Sequence, residues 1–237
     1  MPKFHFVEDY ERYVSDLIAT HPLDEAMALA VGGNYELFGQ IEHAVLEYLG
    51  IQPNWTLVDL GCGSGRLASE LFRTYPELNY TGIDIVKSLL EYAKHKAPSY
   101  RFILSRSLKI PFESASADCV AAFSLFTHLL HAETYQYMTE AYRALKPGGK
   151  LAFSFIEFAE GGHWHVFEET VAAAFSNSET HLNTFIERSV IALWASKIGF
   201  EIQEFVAGGE CRWNGQPLGQ TLAILVKPAE VMSERCS

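Results

Sequence analysis

The chain has 237 residues, 49% of them hydrophobic, which is enough to bury one good core. Its formal net charge is -11, from 18 Lys+Arg against 29 Asp+Glu. A surface this acidic repels a phosphate backbone and no Lys/Arg cluster offsets it, so nucleic acid is excluded as an expected partner. The N-terminus MPKFHFVEDYERY lacks an apolar signal region, and no run of about 18 apolar residues follows. The expectation is a soluble, cytoplasmic protein with no membrane contact, in which the sequon Asn54-Trp55-Thr56 carries no meaning. Cys62, Cys119, Cys211 and Cys236 are scattered without zinc spacing, so they read as reduced, small apolar residues and no metal is expected.

Three helices are expected first: Asp9 to Ile18, Leu23 to Val31 before Gly32-Gly33, and Tyr35 to Leu49 before Gly50. The pattern then changes. Thr56 to Leu60 reads as a buried strand, Gly65 to Tyr75 as a helix and Tyr80 to Ile85 as a strand. Val86 to Ala97 is a helix with Val86, Leu90, Ala93 and Ala97 on one stripe. Arg101 to Ser105 and Asp118 to Ser124 are strands. They are followed by a helix, Glu133 to Leu145, with Met138, Ala141, Tyr142 and Leu145 inward. Lys146 to Gly149 reads as a turn and Lys150 to Phe158 as an apolar strand. Thr184 to Gly199 is a helix with Ile186, Val190, Leu193 and Trp194 inward. Phe200 to Val206 and Thr221 to Lys227 are strands joined by a loop without a helix, so they pair antiparallel.

Alternating strands and helices with continuously apolar strands mean a parallel sheet covered on both faces. The expected fold is therefore α/β: a doubly wound, seven-stranded, mostly parallel sheet with one reversed strand near its edge. As one domain it divides into an N-terminal helical cap (1–54), a binding core (55–158), a variable segment with a helix (159–199) and a C-terminal strand pair (200–237).

The stretch VDLGCGSGRL, Val58 to Leu67, places a glycine-rich turn between the first of these strands and a helix. Such a turn brings backbone N–H groups and a helix dipole to a ligand. It is not a P-loop, because no Gly-Lys-Ser/Thr follows. It is one residue tighter than the dinucleotide pattern, since the glycines are Gly61, Gly63 and Gly65. Asp59, two residues before them, would repel a pyrophosphate and suits an ammonium group. Asp84 ends the second strand, where a carboxylate can bind both hydroxyls of a ribose. A ribose, an amine and a small anion without phosphate describe S-adenosylmethionine.

With VDLGCGSG, GID at 82–84, IPFESASADCV at 110–120 and LKPGGKL at 145–151, the chain resembles the class I S-adenosylmethionine-dependent methyltransferases, type-11 subgroup. The resemblance covers Thr56 to Phe158, with a compatible tail. It implies that Asp59, Gly61, Cys62, Gly63 and Gly65 surround the methionine part and that Asp84 holds the ribose. It also implies that Ile85 packs on the adenine, that Ser107 and Leu108 border it, and that Phe123 lines the floor near the sulfonium. One departure stands out: Arg106 occupies the place where an acid often bonds the adenine amino group. Ala117 likewise replaces an aromatic residue before Asp118.

Methyl transfer requires positioning and dryness more than a dedicated catalytic group; a base helps only a protonated nucleophile. Phe123-Ser124-Leu125-Phe126 stands where relatives that methylate amide or exocyclic amino nitrogens carry Asn/Asp-Pro-Pro-Tyr/Phe, so those acceptors are disfavoured. No acid constellation suggests a divalent metal for a catechol, and no cysteine pair suggests arsenic chemistry. Candidate bases are His128, His163 and His165, with His131 and His181 behind them. Gly161-Gly162-His163-Trp164-His165 either shapes a pocket for an aromatic acceptor or forms a loop whose rings pack on the C-terminal helix. Tyr35 and Phe38 either close over the cofactor or face the core. With Phe126 and Trp164 they complete the acceptor-binding candidates. The expected activity is methylation of a small-molecule oxygen or nitrogen. The alternatives are a protein side chain or tRNA as acceptor, or a non-catalytic cofactor-binding partner protein.

Overall fold

The computed structural model describes residues 7–176 and 183–229; His181 and Cys236 lie outside the described residues. In chain order the elements are α1 (Val7–Thr20), α2 (Leu23–Leu29), α3 (Tyr35–Leu49), β1 (Thr56–Leu60), α4 (Arg66–Thr74), β2 (Asn79–Asp84), α5 (Lys87–Lys96) and β3 (Arg101–Leu104). Then come β4 (Ala117–Ala122), a 3-10 turn at Phe126–His128, α6 (His131–Ala144), β5 (Leu145–Phe155), α7 (Gly161–Ser176), α8 (Arg188–Ile198), β6 (Glu201–Val206) and β7 (Thr221–Val226).

The seven strands form one sheet in the order β3-β2-β1-β4-β5-β7-β6. Pairing is parallel from β3 through β5, while β7 runs antiparallel to both β5 and β6. The expected fold is therefore the observed one, reversed strand included. Strand order reverses between β1 and β4, and ligands of such sheets sit beyond the carboxyl ends of the strands at that switch point.

Strand periodicity divides the core. Val58 and Leu60 of β1, Val120 and Ala122 of β4, and Leu151 and Phe153 of β5 face α6 and α8, where Met138, Ala141, Ile191 and Ala195 are buried. Leu57, Cys119, Ala121, Ala152 and Ile224 face the other way, against α3 and α4. Helix α3 thus supplies one layer of the sheet, with Ile41, Val45 and Leu46 almost wholly buried. It ends at Leu49 because Gly50 adopts φ 86°. The Gly50 N–H donates to the Glu47 carbonyl at 2.9 Å and the Ile51 N–H to Leu46 at 3.0 Å, a Schellman closure that satisfies two of the last carbonyls.

Three expectations need correction. Lys146–Gly149 is not a free turn before β5 but an excursion within it. Leu145 pairs with Ala117 and Lys150 with Cys119, while Gly148 and Gly149 exchange hydrogen bonds with Lys227. Leu193 is 56% exposed rather than inward, and Ile191 and Ala195 carry the packing of α8. The run from Gly161 is not a loop but the first turn of α7. That helix buries only His163 and Ala173, so its apolar residues form no single stripe and show no 3.6-residue period.

Candidate active site

The glycine loop is fastened to the second strand. The Gly61 and Cys62 N–H groups both donate to the Ile83 carbonyl, at 2.8 and 3.1 Å. Gly63 and Gly65 have φ 54° and 80°, the left-handed region that favours glycine. A Cβ on Gly65 would stand 2.6 Å from the Ala93 Cβ, so this glycine lets α4 and α5 touch. A Cβ on Gly63 would stand 2.6 Å from Val31 Cγ1, so the turn after α2 rests directly on the loop.

Two carboxylates flank the loop. Asp84 Oδ2 accepts the Gly63 N–H at 2.9 Å, and Oδ1 accepts the Val86 N–H at 2.9 Å. Each oxygen keeps lone-pair capacity for a further donor. Burial raises its pKa, and the N–H groups of Val86 and Gly63 oppose that rise. Asp59 is 3% exposed and accepts the Tyr80 hydroxyl at 2.6 Å. Burial pushes the Asp59 carboxyl up to about 8, against the Tyr80 hydrogen bond and with the help of Glu42. Without a cation beside it, Asp59 therefore holds its proton at neutral pH. Because its folded value lies above the unfolded value of about 3.9, its stabilising contribution is full below that pH and is lost as pH rises toward 8. The melting temperature of the wild type minus that of Asp59→Asn should therefore fall between about pH 5 and 8. A difference that is flat or rising across that window contradicts the assignment.

Elements above the sheet converge on the same loop. The Tyr35 hydroxyl donates to the Ser64 carbonyl at 3.0 Å, and Ser64 Oγ donates to the Met27 carbonyl at 2.9 Å. Arg66, directly after the last glycine, donates from Nε to Glu42 Oε1 at 2.8 Å and from Nη1 to the Val31 carbonyl at 2.6 Å. Its guanidinium carbon stands 5.3 Å from the centre of the Phe38 ring.

Cys62 is buried in the loop, which pushes its thiol up. Ile85 sits half-buried where two core clusters meet, beside Asp84. Ser107 Oγ accepts the Lys109 N–H at 3.2 Å and its carbonyl accepts the Tyr137 hydroxyl at 3.3 Å, while Leu108 packs on the core. Arg106 pairs with Glu11 of α1, so an acid does reach this region, but from the N-terminal helix. Phe123 lies at the end of β4, 7% exposed. All of these border the carboxyl edge of the sheet near β1, β2 and β4.

The acceptor-side candidates scatter. Phe126 is fully buried with its ring 4.8 Å from Phe153, and it serves the core. His128 is half-buried in the 3-10 turn. His131 Nε2 lies 3.1 Å from the Phe185 carbonyl. His163 is held at both ring nitrogens: Nδ1 accepts the Glu157 N–H at 3.1 Å, which assigns the Nε2 proton to the Gly219 carbonyl at 3.1 Å. Trp164 meets the Phe158 ring edge-on and the Phe167 ring at a tilt, and donates to Glu168 at 3.1 Å. His165 faces solvent, beside Glu168 and Glu169. His163→Ala should therefore destabilise the fold by about 1–3 kcal/mol through two unmade buried hydrogen bonds, and His165→Ala by less than about 0.5 kcal/mol. Denaturant melts check both, and equal losses contradict the placement.

Four groups escape sequence reasoning: Glu42, Tyr80, Ser124 and Gln220. Their signal is three-dimensional, since each meets the site from a different element. Arg66 was visible beside the glycines and carried no sign of its buried partner.

Comparison with known proteins identifies the domain that holds this site. Residues 58–153 match the family model described as Methyltransferase domain. That span runs from β1, through the glycine loop and Asp84, into β5. Over residues 58–153 the chain therefore carries this methyltransferase domain. Among relatives of this chain, the demethylmenaquinone methyltransferase of Deinococcus radiodurans is 34% identical over 112 residues, 46% of this chain and 45% of that one. The ubiquinone biosynthesis O-methyltransferase of Nitrosococcus oceani is 30% identical over 158 residues, covering 62% of this chain and 64% of that one. Matches span 43%, 26% and 45% of three of the curated relatives, about half of their length or less. Two solved structures share the fold, each with a TM-score of 0.65. One is the putative methyltransferase of Haloferax volcanii in complex with the Trm112 activator, at 18% identity over 93% of this chain and 98% of that one. The other is the magnesium protoporphyrin IX methyltransferase of Synechocystis with bound S-adenosylhomocysteine, at 15% identity over 94% of this chain and 96% of that one. Among the described residues no helix is long and apolar enough to cross a membrane, and no group of three His, Cys, Asp or Glu is placed to hold a metal.

Proposed function

We propose that this methyltransferase transfers the methyl group of S-adenosylmethionine to an oxygen or nitrogen of a small molecule. The observation that carries it is the Asp84 carboxylate, oriented through both oxygens by the Gly63 and Val86 N–H groups at the end of β2. A carboxylate so fixed, with lone pairs to spare, fits a ribose diol. Asp59 would meet the methionine ammonium, and the Gly61–Gly65 backbone with Cys62 would surround the chain that bears it. Ile85 and Leu108 would hold the adenine between them, with Ser107 at its edge and Phe123 beneath the sulfonium. Bound there, S-adenosylmethionine supplies a methyl carbon activated by positive sulfur. The protein's part is to orient the nucleophile and exclude water. The turn after α2, resting on Gly63, supplies that exclusion.

Two relatives, named for demethylmenaquinone methylation and ubiquinone biosynthesis, support a small-molecule acceptor. So does the formal charge of -11, which disfavours tRNA. The test is a cell extract of small molecules, proteins and RNA incubated with the enzyme and methyl-labelled cofactor. Label is expected in the small-molecule fraction. Label confined to protein or RNA contradicts the proposal.

A further inference from the structure

A cavity of about 220 Å³ opens beside the glycine loop, at the carboxyl edge of the sheet. Val31, Phe38 and Leu218 line it with hydrocarbon, and Arg66, Ser124 and Gln220 with polar groups. Along this edge the strands run β1, β4, β5, β7. The glycine loop follows β1, Ser124 follows β4, and Gln220 precedes β7. At about 4.8 Å per strand, Gln220 stands on the order of 14 Å from the glycine loop, on the far side of Ser124.

The hydrogen bonds fix which way Gln220 points. The Ser124 N–H donates to Ser154 Oγ at 2.7 Å. That hydroxyl then donates to Gln220 Oε1 at 2.6 Å, and Ser124 Oγ adds a second, longer bond to the same oxygen at 3.4 Å. The amide oxygen is thereby committed. The Nε2 group has no partner among the described residues, and Gln220 lines the cavity. Arg66 adds to the donors. Its Nη2 is held to Glu42 Oε1 at 2.5 Å and reaches Ser124 Oγ only at 3.5 Å, longer than a well-made hydrogen bond, so the N–H on the Ser124 side is left for a ligand without any movement of the guanidinium. Ser124 itself holds φ 56°, an uncommon conformation outside glycine, of the kind found at functional sites.

A lining rich in donors, without His, Asp or Glu, selects a group that only accepts. We propose that this cavity binds the methyl acceptor and that the acceptor is a small organic acid, its carboxylate held by Gln220 Nε2 and Arg66. The assignment rests on the methyl transfer proposed above. It also accounts for the lack of a converging base among the described residues, because a carboxylate is already ionised at neutral pH. A carboxylate oxygen forms the new C–O bond with its own lone pair, while the C–S bond breaks and leaves its electrons on sulfur. The products are a methyl ester and a thioether, and no proton moves.

Calorimetric titration of the full chain, saturated with S-adenosylhomocysteine, tests this with benzoate and hexanoate as probes and benzamide and hexanamide as their neutral counterparts. The acids should bind at least about tenfold more tightly than the amides. Gln220→Glu, which sets a like charge at the same point, should weaken the acids more than about tenfold and leave S-adenosylhomocysteine affinity within about twofold. Gln220→Ala, which removes the donors without adding charge, should weaken them less, and melting curves show that both variants fold. Equal binding of acids and amides overturns the proposal. So does a Gln220→Glu variant that loses S-adenosylhomocysteine instead, since the donors would then face the cofactor. Failure of the wild type to bind S-adenosylhomocysteine, with acid selectivity intact in its absence, overturns the methyl transfer and leaves the cavity's preference for carboxylates standing.

Discussion

Asp84→Ala should weaken S-adenosylmethionine binding by about 10- to 100-fold, the worth of hydrogen bonds to a charged acceptor. The effect has two parts. The ribose hydroxyls lose their acceptor, and the Gly63 and Val86 N–H groups, each 2.9 Å from the carboxylate, lose theirs. The second part loosens the glycine loop itself, so S-adenosylhomocysteine should suffer equally. Asp84→Asn keeps one carbonyl oxygen and should fall between wild type and alanine. Calorimetry on the three proteins reads the series directly. Wild-type affinity in the alanine variant would mean that the ribose lies elsewhere.

Arg66→Leu should be among the most destabilising single changes in the chain, at about 3–5 kcal/mol. The Arg66 and Glu42 side chains are 11% and 2% exposed, so removing the cation strands a carboxylate almost entirely out of water. Burial already raises the Glu42 pKa with the arginine present. For a chain of this length the loss corresponds to roughly 10 °C in melting temperature. Glu42→Leu with Arg66→Leu should recover most of it, because a buried pair replaced whole by hydrocarbon of similar volume is close to neutral. The comparison separates the electrostatic role from simple packing of α3 on α4. A single variant that melts as poorly as the double would show that packing dominates.

The parts of the fold legible in the sequence are those with local causes. Helix α3 runs Tyr35–Leu49 as expected because Gly50 can take the left-handed conformation that stops it. Strand β1 runs Thr56–Leu60 as expected because four of its five residues are buried and read as one apolar stretch around Asp59. The reversed β7 was legible because Gly199 ends α8 and no helix separates β6 from β7. What stayed hidden has distant causes. Helix α7 lacks a stripe, since Trp164, Val171 and Phe175 all remain exposed. His163 looks reactive in GGHWH, but the Glu157 N–H and the Gly219 carbonyl, from two other segments, hold both its nitrogens. Gln220 carries no motif. Its orientation depends on Ser154 and Ser124, 66 and 96 residues away. On the cofactor side, Asp59, Gly61, Gly63, Gly65 and Asp84 lie within two strand–turn units, and proximity in sequence already implied proximity in space.

The most direct measurement is equilibrium titration of the full chain with S-adenosylmethionine across pH 6 to 8. One saturable site should form below about 1 mM, and affinity should rise with pH because Asp59, held up at about 8 by burial, must release its proton to meet the ammonium group. In Asp59→Asn that pH dependence should be lost. No heat and no saturation at about 1 mM at any pH in this range would contradict the account at its root.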